Sequence, residues 1–250
     1  MAVIHHTTMT PGKLELLTAW LPTRPWYVGA ARGPELAKAG GFRLDDPEGE
    51  VGIEFMVVTD ASGDEPVSYL VPLSYRGAPL DGADEALVGT SEHGVLGKRW
   101  VYDGAHDPVL VGQLLALLQG RAEAQAQSVS GTPDPSVTGC FTGAGVSAGV
   151  ASVAVTDGEY GTVVVVETVA AGSSEPGSAA LTLQVTRVLP HEQQKQSAHP
   201  ERSKRSEQPE QQAPGIDPTG AHGHVTAGWR LPDGCEVRAP FVLVAGTTMT

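Results

Sequence analysis

The stretch VGIEFMVVTDASGDEPVSYLVPLSY, residues 51–75, decides the fold class. Val51–Thr59 alternates loosely and then continues as an apolar run. Val67–Tyr75 is rich in β-branched and aromatic residues. Both therefore read as strands. Asp60-Ala61-Ser62-Gly63-Asp64 between them is built from turn formers. Pro72 has no N–H to give to a ladder, which puts the second strand at an edge or a bulge. Strand, tight turn, strand is the signature of an antiparallel sheet.

Working outward, the same pattern recurs. A third strand is expected near Lys98–Tyr102. Upstream lies a loop that includes Arg32-Gly33-Pro34 and Ala39-Gly40-Gly41. Before it, Thr10 can cap a helix, Pro11 suits a first helical position, and Leu14, Leu17 and Leu21 share one stripe. Pro22 should stop that helix, so it spans about 11–21. Downstream, Asp107 caps and Pro108 opens a second helix with Leu110, Leu114, Leu117 and Leu118 at helical spacing. It is expected to run over about 108–127 and to end in SVSGTPDP. Short β-branched runs follow at Val150–Thr156, Thr162–Ala170 and Ala180–Leu189. Residues 191–220 hold almost no apolar side chains, so disorder is expected there. Val225–Arg230, the turn Pro232-Asp233-Gly234 and Glu236–Ala245 then read as a hairpin. The fold class is α+β and β-rich: antiparallel sheet with two main helices. The expected organisation is residues 1–130, a strand extension over 131–190, the disordered loop over 191–220, and a hairpin over 221–250 joined to the same β unit. No repeat of fixed period is present.

Composition sets limits on function. Acidic residues outnumber basic ones 29 to 16, a formal net charge of −13. That repels a phosphate backbone and an anionic bilayer, so neither nucleic acid nor membrane is an expected partner. No apolar run is long enough to span a bilayer, and the N-terminus lacks the pattern of a secretory signal. A cytoplasmic location with reduced thiols is the expectation, and a Cys140–Cys235 bridge is not expected there.

The motifs that could carry chemistry are weak. Gly145-Val146-Ser147-Ala148-Gly149 matches the nucleophile-elbow pattern, which makes Ser147 a candidate nucleophile. That chemistry needs a strand before the serine and a helix after it, and here a strand follows. Gly143-Ala144-Gly145 lacks dinucleotide spacing. Gly94–Arg99 resembles a phosphate loop but has Arg where magnesium needs a hydroxyl. Both read as turn glycines. His222, His224 and Cys235 want a fourth ligand to hold zinc, and none has suitable spacing. Asp45-Asp46, Glu48/Glu50 and Asp84-Glu85 lie in turns and read as solvated carboxylates. No catalytic set, metal or cofactor is expected.

One segment stands out. AWLPTRPWYVG, residues 19–29, places two of the four tryptophans within seven residues of a chain with 5% aromatics. Trp20-Leu21-Pro22-Thr23-Arg24-Pro25-Trp26-Tyr27-Val28-Gly29 resembles the start of actinobacterial maltokinases. Their N-terminal cap domain carries a similar aromatic signature after a short helix. The order of later elements agrees through the leucine helix, so the resemblance covers roughly 10–125. One position departs: Pro25, not Arg, precedes the second Trp, and Arg24 lies one residue earlier.

The resemblance implies a cap that packs on the N-lobe of a kinase-like fold, which binds ATP and phosphorylates maltose. Phosphoryl transfer needs a catalytic-loop Asp, a metal-binding Asp and a nucleotide-holding Lys. No such motifs follow residue 130. The expectation is therefore a stand-alone, non-catalytic accessory or interaction module, linked through the resemblance to glycogen or trehalose metabolism. Its partner would be a kinase-fold or glucan-metabolism protein. The candidate interaction residues are Trp20, Pro22, Arg24, Trp26, Tyr27 and Gly29, with Trp20 and Trp26 mainly core and partly a docking face. Two alternatives stand beside it. The chain could be a component of an ATP-dependent maltose kinase. It could also be a carbohydrate-binding module using Trp20, Trp26 or Trp100 as a stacking platform.

Overall fold

The computed structural model describes residues 8–29, 33–129, 131–142, 150–159, 161–168, 179–190 and 221–249. The expected disorder over 191–220 and the candidate Ser147 lie outside them.

The first half contributes β1 (Met9–Thr10), α1 (Lys13–Trp20), β2 (Leu36–Leu44), β3 (Gly52–Asp60), β4 (Val67–Arg76), β5 (Leu87–His93) and β6 (Gly97–Asp103). Next come α2 (Pro108–Leu118), β7 (Gln125–Ala126) and β8 (Thr138–Phe141). The remainder is β9 (Val150–Asp157), β10 (Gly161–Thr168), β11 (Ala179–Thr186), β12 (Val188–Leu189), β13 (Gly223–Arg230) and β14 (Glu236–Met249). Among the described residues these form one antiparallel sheet in the order β1-β5-β6-β4-β3-β2-β13-β14-β11-β10-β9. β12 follows β11 after the single residue Arg187 and pairs back onto β4, Val188 with Tyr69 and Leu189 with Ser68. The pairings β4, β3, β2, β13, β14, β11/β12 and β4 therefore run in a closed circuit.

α2 sits inside this curl. Leu110, Val111, Leu114, Leu115, Leu117 and Leu118 are all buried, so the helix is apolar nearly all round. They pack with Phe42, Phe55, Val164, Leu183, Val225 and Phe241 in the main core. Phe42 and Phe55 stack at 4.6 Å. α1 covers the other face of β3 and β4. Leu16, Leu17 and Trp20 pack there on Met56, Val58, Tyr69, Val71 and Leu73. Ile53, Phe55 and Val57 face the inner core while Met56 and Val58 face α1. Cover on both faces is why Val51–Thr59 keeps its apolar character through successive residues.

Local signals were accurate where the partner is close in sequence. Asp107 accepts from the Val109 N–H at 2.9 Å and Pro108 occupies the first turn of α2. The turn at Pro232-Asp233-Gly234 closes the β13–β14 hairpin, with Leu231 N–H donating to the Cys235 carbonyl and Gly234 at φ 88°. Gly97 makes the β5–β6 turn at φ 69°. Cys140 and Cys235 are both free and exposed.

Five expectations need correction. α1 starts at Lys13, not at Pro11: Gly12 is the cap, and its N–H donates to the Glu15 carboxylate at 2.6 Å. Thr10 instead pairs in β1 with Glu92. At its other end α1 stops at Trp20, ahead of Pro22 as expected, and the chain passes into a 3-10 turn over Leu21–Thr23. α2 stops at Leu118, because Gly120 takes φ 68° and turns the chain, so that Gln125–Ala126 pairs with β2. Pro72 lies in an interior strand. Leu70 N–H, two residues earlier, donates to the Arg187 carbonyl, so Pro72 N points the same way. It falls between the end of β12 and the start of the β6 pairing at Leu73, where no partner needs a donor. Asp46 is buried rather than solvated, and its carboxylate accepts from the backbone of Glu48, Glu50 and Val51.

Ala39-Gly40-Gly41 is the fifth. It is the middle of β2, not a loop. Glycine is needed because other backbone comes too close for a side chain. A Cβ on Gly41, at φ 119°, would sit 1.9 Å from the Phe55 carbonyl oxygen. Gly41→Ala is expected to cost about 2–4 kcal/mol in urea unfolding, from strain plus overpacking.

Acid stability follows from two buried carboxylates. Burial alone would raise the Glu54 pKa, but the Lys13 ammonium and hydrogen bonds from Lys13 and Tyr75 outweigh it and hold it low. Asp107 behaves alike, with burial overcome by a two-pronged bond from Arg76 at 2.6 and 2.7 Å. Lowered folded-state values give stability that is present above the unfolded pKa and lost as pH falls through the folded one. Unfolding free energy should thus stay flat from neutral pH and fall below roughly pH 4, where unfolded carboxylates titrate. Asp107→Asn should flatten that acid limb in pH-dependent urea melts.

Candidate functional site

The signature segment lies where α1 turns onto the sheet. Leu17, Leu21 and Trp26 are fully buried and Trp20 is 6% exposed. The rings of Trp20 and Trp26 meet edge-on at 5.8 Å, and Trp26 lies 6.0 Å from Tyr69 of β4. Pro22 and Pro25 are exposed and set the path of the chain. Thr23 Oγ1 donates to the Trp20 carbonyl at 2.6 Å. The Arg24 guanidinium bonds Thr23 Oγ1 and lies 4.9 Å above the Trp20 ring. Moved one residue back by Pro25, Arg24 is therefore a lid on Trp20.

Tyr27 and Gly29 act as a pair. Tyr27 Oη donates to Asp60 Oδ2 at 2.8 Å, and a Cβ on Gly29 would sit 1.8 Å from that Oη. Only glycine lets the phenol fold back over the chain. Asp60 Oδ1 accepts from the backbone of Glu35 and Ser62, both at 2.9 Å. Burial, then the Asp60 hydrogen bond and charge, push the Tyr27 phenol far up. Burial likewise pushes Tyr69 up to about 12, and its Oη accepts from Val28 N–H. Both phenols are hydrogen-bonded struts with no proton to exchange near neutral pH.

The sequence marks only faintly what lies behind Trp26. Arg187, fully buried, places its guanidinium 5.0 Å from the Trp26 ring. Its Nη2 donates to Asp103 Oδ2 at 2.6 Å and its Nε to Thr162 Oγ1 at 2.6 Å. Thr162 Oγ1 in turn donates to Asp157 Oδ1. One side chain thus ties the aromatic segment, the end of β6, and the β9–β10 hairpin. The one available signal was a lone cation within LTLQVTRVL, a β-branched run where a charge must find a buried partner.

This geometry leaves little for chemistry or stacking. Neither Trp20 nor Trp26 offers an open ring face. Trp100 is half-buried and carries the Lys98 ammonium 4.9 Å over its ring. Gly94–Arg99 is the tip of the β5–β6 hairpin, shaped by His93 Nδ1 accepting from Val95 and Leu96 N–H. Among the described residues no three His, Cys, Asp or Glu side chains gather as a metal site. No described helix is long and apolar enough to cross a membrane.

Arg187→Ala would leave Asp103 buried without its partner. It should cost about 3–5 kcal/mol in urea unfolding, whereas Arg187→Met with Asp103→Leu should recover most of that loss.

No curated protein matches the chain. Residues 20–107, from the first signature tryptophan to the cap of α2, match the model of the maltokinase N-terminal cap domain. That stretch of the chain is similar to the maltokinase N-terminal cap domain, the family its aromatic signature resembles.

Proposed function

We propose that this chain is a cap-type accessory module that acts by docking to another protein and is not itself catalytic. The observation that carries the reading is the fate of the residues after the matched region. Among the described residues, β8–β14 pair into or extend the sheet that holds residues 20–107 and form no separate lobe. Their side chains fill the core around α2. In maltokinases the cap packs on the N-lobe of a kinase-like fold, so a kinase-fold or glucan-metabolism protein is the expected partner, in glycogen or trehalose metabolism. A cytoplasmic location fits such a role. The buried signature suits it as well, since Trp20 and Trp26 hold the module rigid while Pro22, Pro25 and Val28 remain at the surface.

Calorimetric titration of the full chain with Mg–ATP, maltose and glycogen is the test. The proposal predicts no binding of Mg–ATP or maltose and no phosphorylation of maltose by the chain alone. Binding of Mg–ATP in the micromolar range, where it would amount to about 8 kcal/mol, would overturn it in favour of a kinase component. Saturable binding of glycogen would favour a carbohydrate-binding module.

A further inference from the structure

β2 and β13 are joined by a single residue pair, Gly40 with Trp229. A Cβ on Gly40 would lie 3.0 Å from the Trp229 Cα, so the two backbones are pinched together there. To one side the gap is filled. β7 pairs with Phe42 and Arg43, and β8 pairs with Gly223–Thr226. To the other side it is open. Among the described residues Leu36, Ala37 and Lys38 pair with β3 alone, and Arg230 pairs with β14 alone. The result is an open groove of about 980 Å³. That is the upper end of the usual size of a ligand site, roughly 300–1,000 Å³.

The charge of the groove runs against that of the chain. Lys38, Arg230 and Arg238 line it, with one carboxylate, Glu236. Glu236 is taken by Arg230 at 2.7 Å. Lys38 makes no ion pair among the described residues. Among the described residues Arg238 reaches only the neutral hydroxyl of Thr138, at 3.3 Å. Glu54, the carboxylate whose field reaches Lys38, is occupied by Lys13, Tyr75 and Gln127. In a protein of net charge −13, two cations with no ion pair among the described residues in one groove call for an acidic ligand. Unpaired strand edges on its walls call for an extended backbone, whose N–H and C=O groups would complete the ladder. Side chains along such a strand alternate, so a carboxylate at every second residue would face the cations together.

We propose that this groove binds an acidic, extended peptide segment of a partner protein, added as a strand along Leu36–Ala39 with its carboxylates on Lys38 and Arg238. The assignment is independent of the cap reading, because it rests on the seam and its charges alone.

The test uses the full chain and a fluorescein-labelled peptide alternating valine and glutamate. Fluorescence anisotropy should show saturable binding, and hydrogen exchange should slow at the amides of residues 36–39. Lys38→Glu with Arg238→Glu should weaken binding by about tenfold or more. Both side chains are exposed, so the double variant should keep the circular dichroism of the parent, at a melting temperature lowered by the new carboxylate near Glu54. Lys38→Gln with Arg238→Gln should fall between the two. A valine–lysine peptide should not bind. Absence of binding, undiminished binding by the charge-reversed variant, or equal binding of a peptide N-methylated at alternate residues would each overturn the proposal. So would full displacement of the peptide by inorganic phosphate without protection of residues 36–39, which would make the groove a simple anion site.

Discussion

The Arg187 guanidinium is the joint on which the rest of the structure depends. It occupies the single residue between β11 and β12, where the chain leaves β14 and turns back to β4. Its backbone carbonyl accepts from Leu70 N–H while its side chain holds Asp103 and Thr162 and covers Trp26. A buried ion pair is not in itself a strong stabiliser, because desolvation of both charges offsets much of the attraction. Its value is specificity. An arginine that must meet a carboxylate on β6 and a hydroxyl on β10 fixes how the later strands register on the earlier ones.

From that joint the architecture follows. Closing the circuit of strands creates an interior that something must fill, and α2 fills it. This explains an otherwise odd helix with almost no polar face. α1 and the aromatic segment then seal the outer face of β3 and β4. Trp20 and Trp26 close the gap between helix and sheet, and the Tyr27–Asp60 bond anchors the exit of the loop. The tryptophan pair is therefore packing that carries a family signature, and the surface it leaves open is made of prolines and Val28.

What could be read in the sequence was local. Asp107-Pro108 and Pro232-Asp233-Gly234 declare a helix start and a hairpin because their partners lie within a few residues. The turn after β3 was visible for the same reason. Ala39-Gly40-Gly41 misled because glycines mark loops on average, whereas here they admit the Phe55 carbonyl and the Trp229 backbone from distant parts of the chain. Glu54 and Asp60 passed unnoticed, since Lys13 and Tyr27 lie far away in sequence. Pro72 signalled an edge correctly in chemistry but not in place: it sits at a gap inside the sheet. The aromatic signature was legible as a resemblance, yet the residue that makes Trp26 part of a joint, Arg187, had no local mark beyond its solitary charge.

The strands after the matched region are integral to the sheet that holds residues 20–107. Native-state hydrogen exchange tests it most directly, because it reports the opening free energy of each segment. If β3, β4, β11 and β14 form one cooperative unit, their slowest amides will share one opening free energy and one dependence on denaturant. Strands β11 and β14 opening at a distinctly lower free energy, with β3 and β4 still protected, would contradict it.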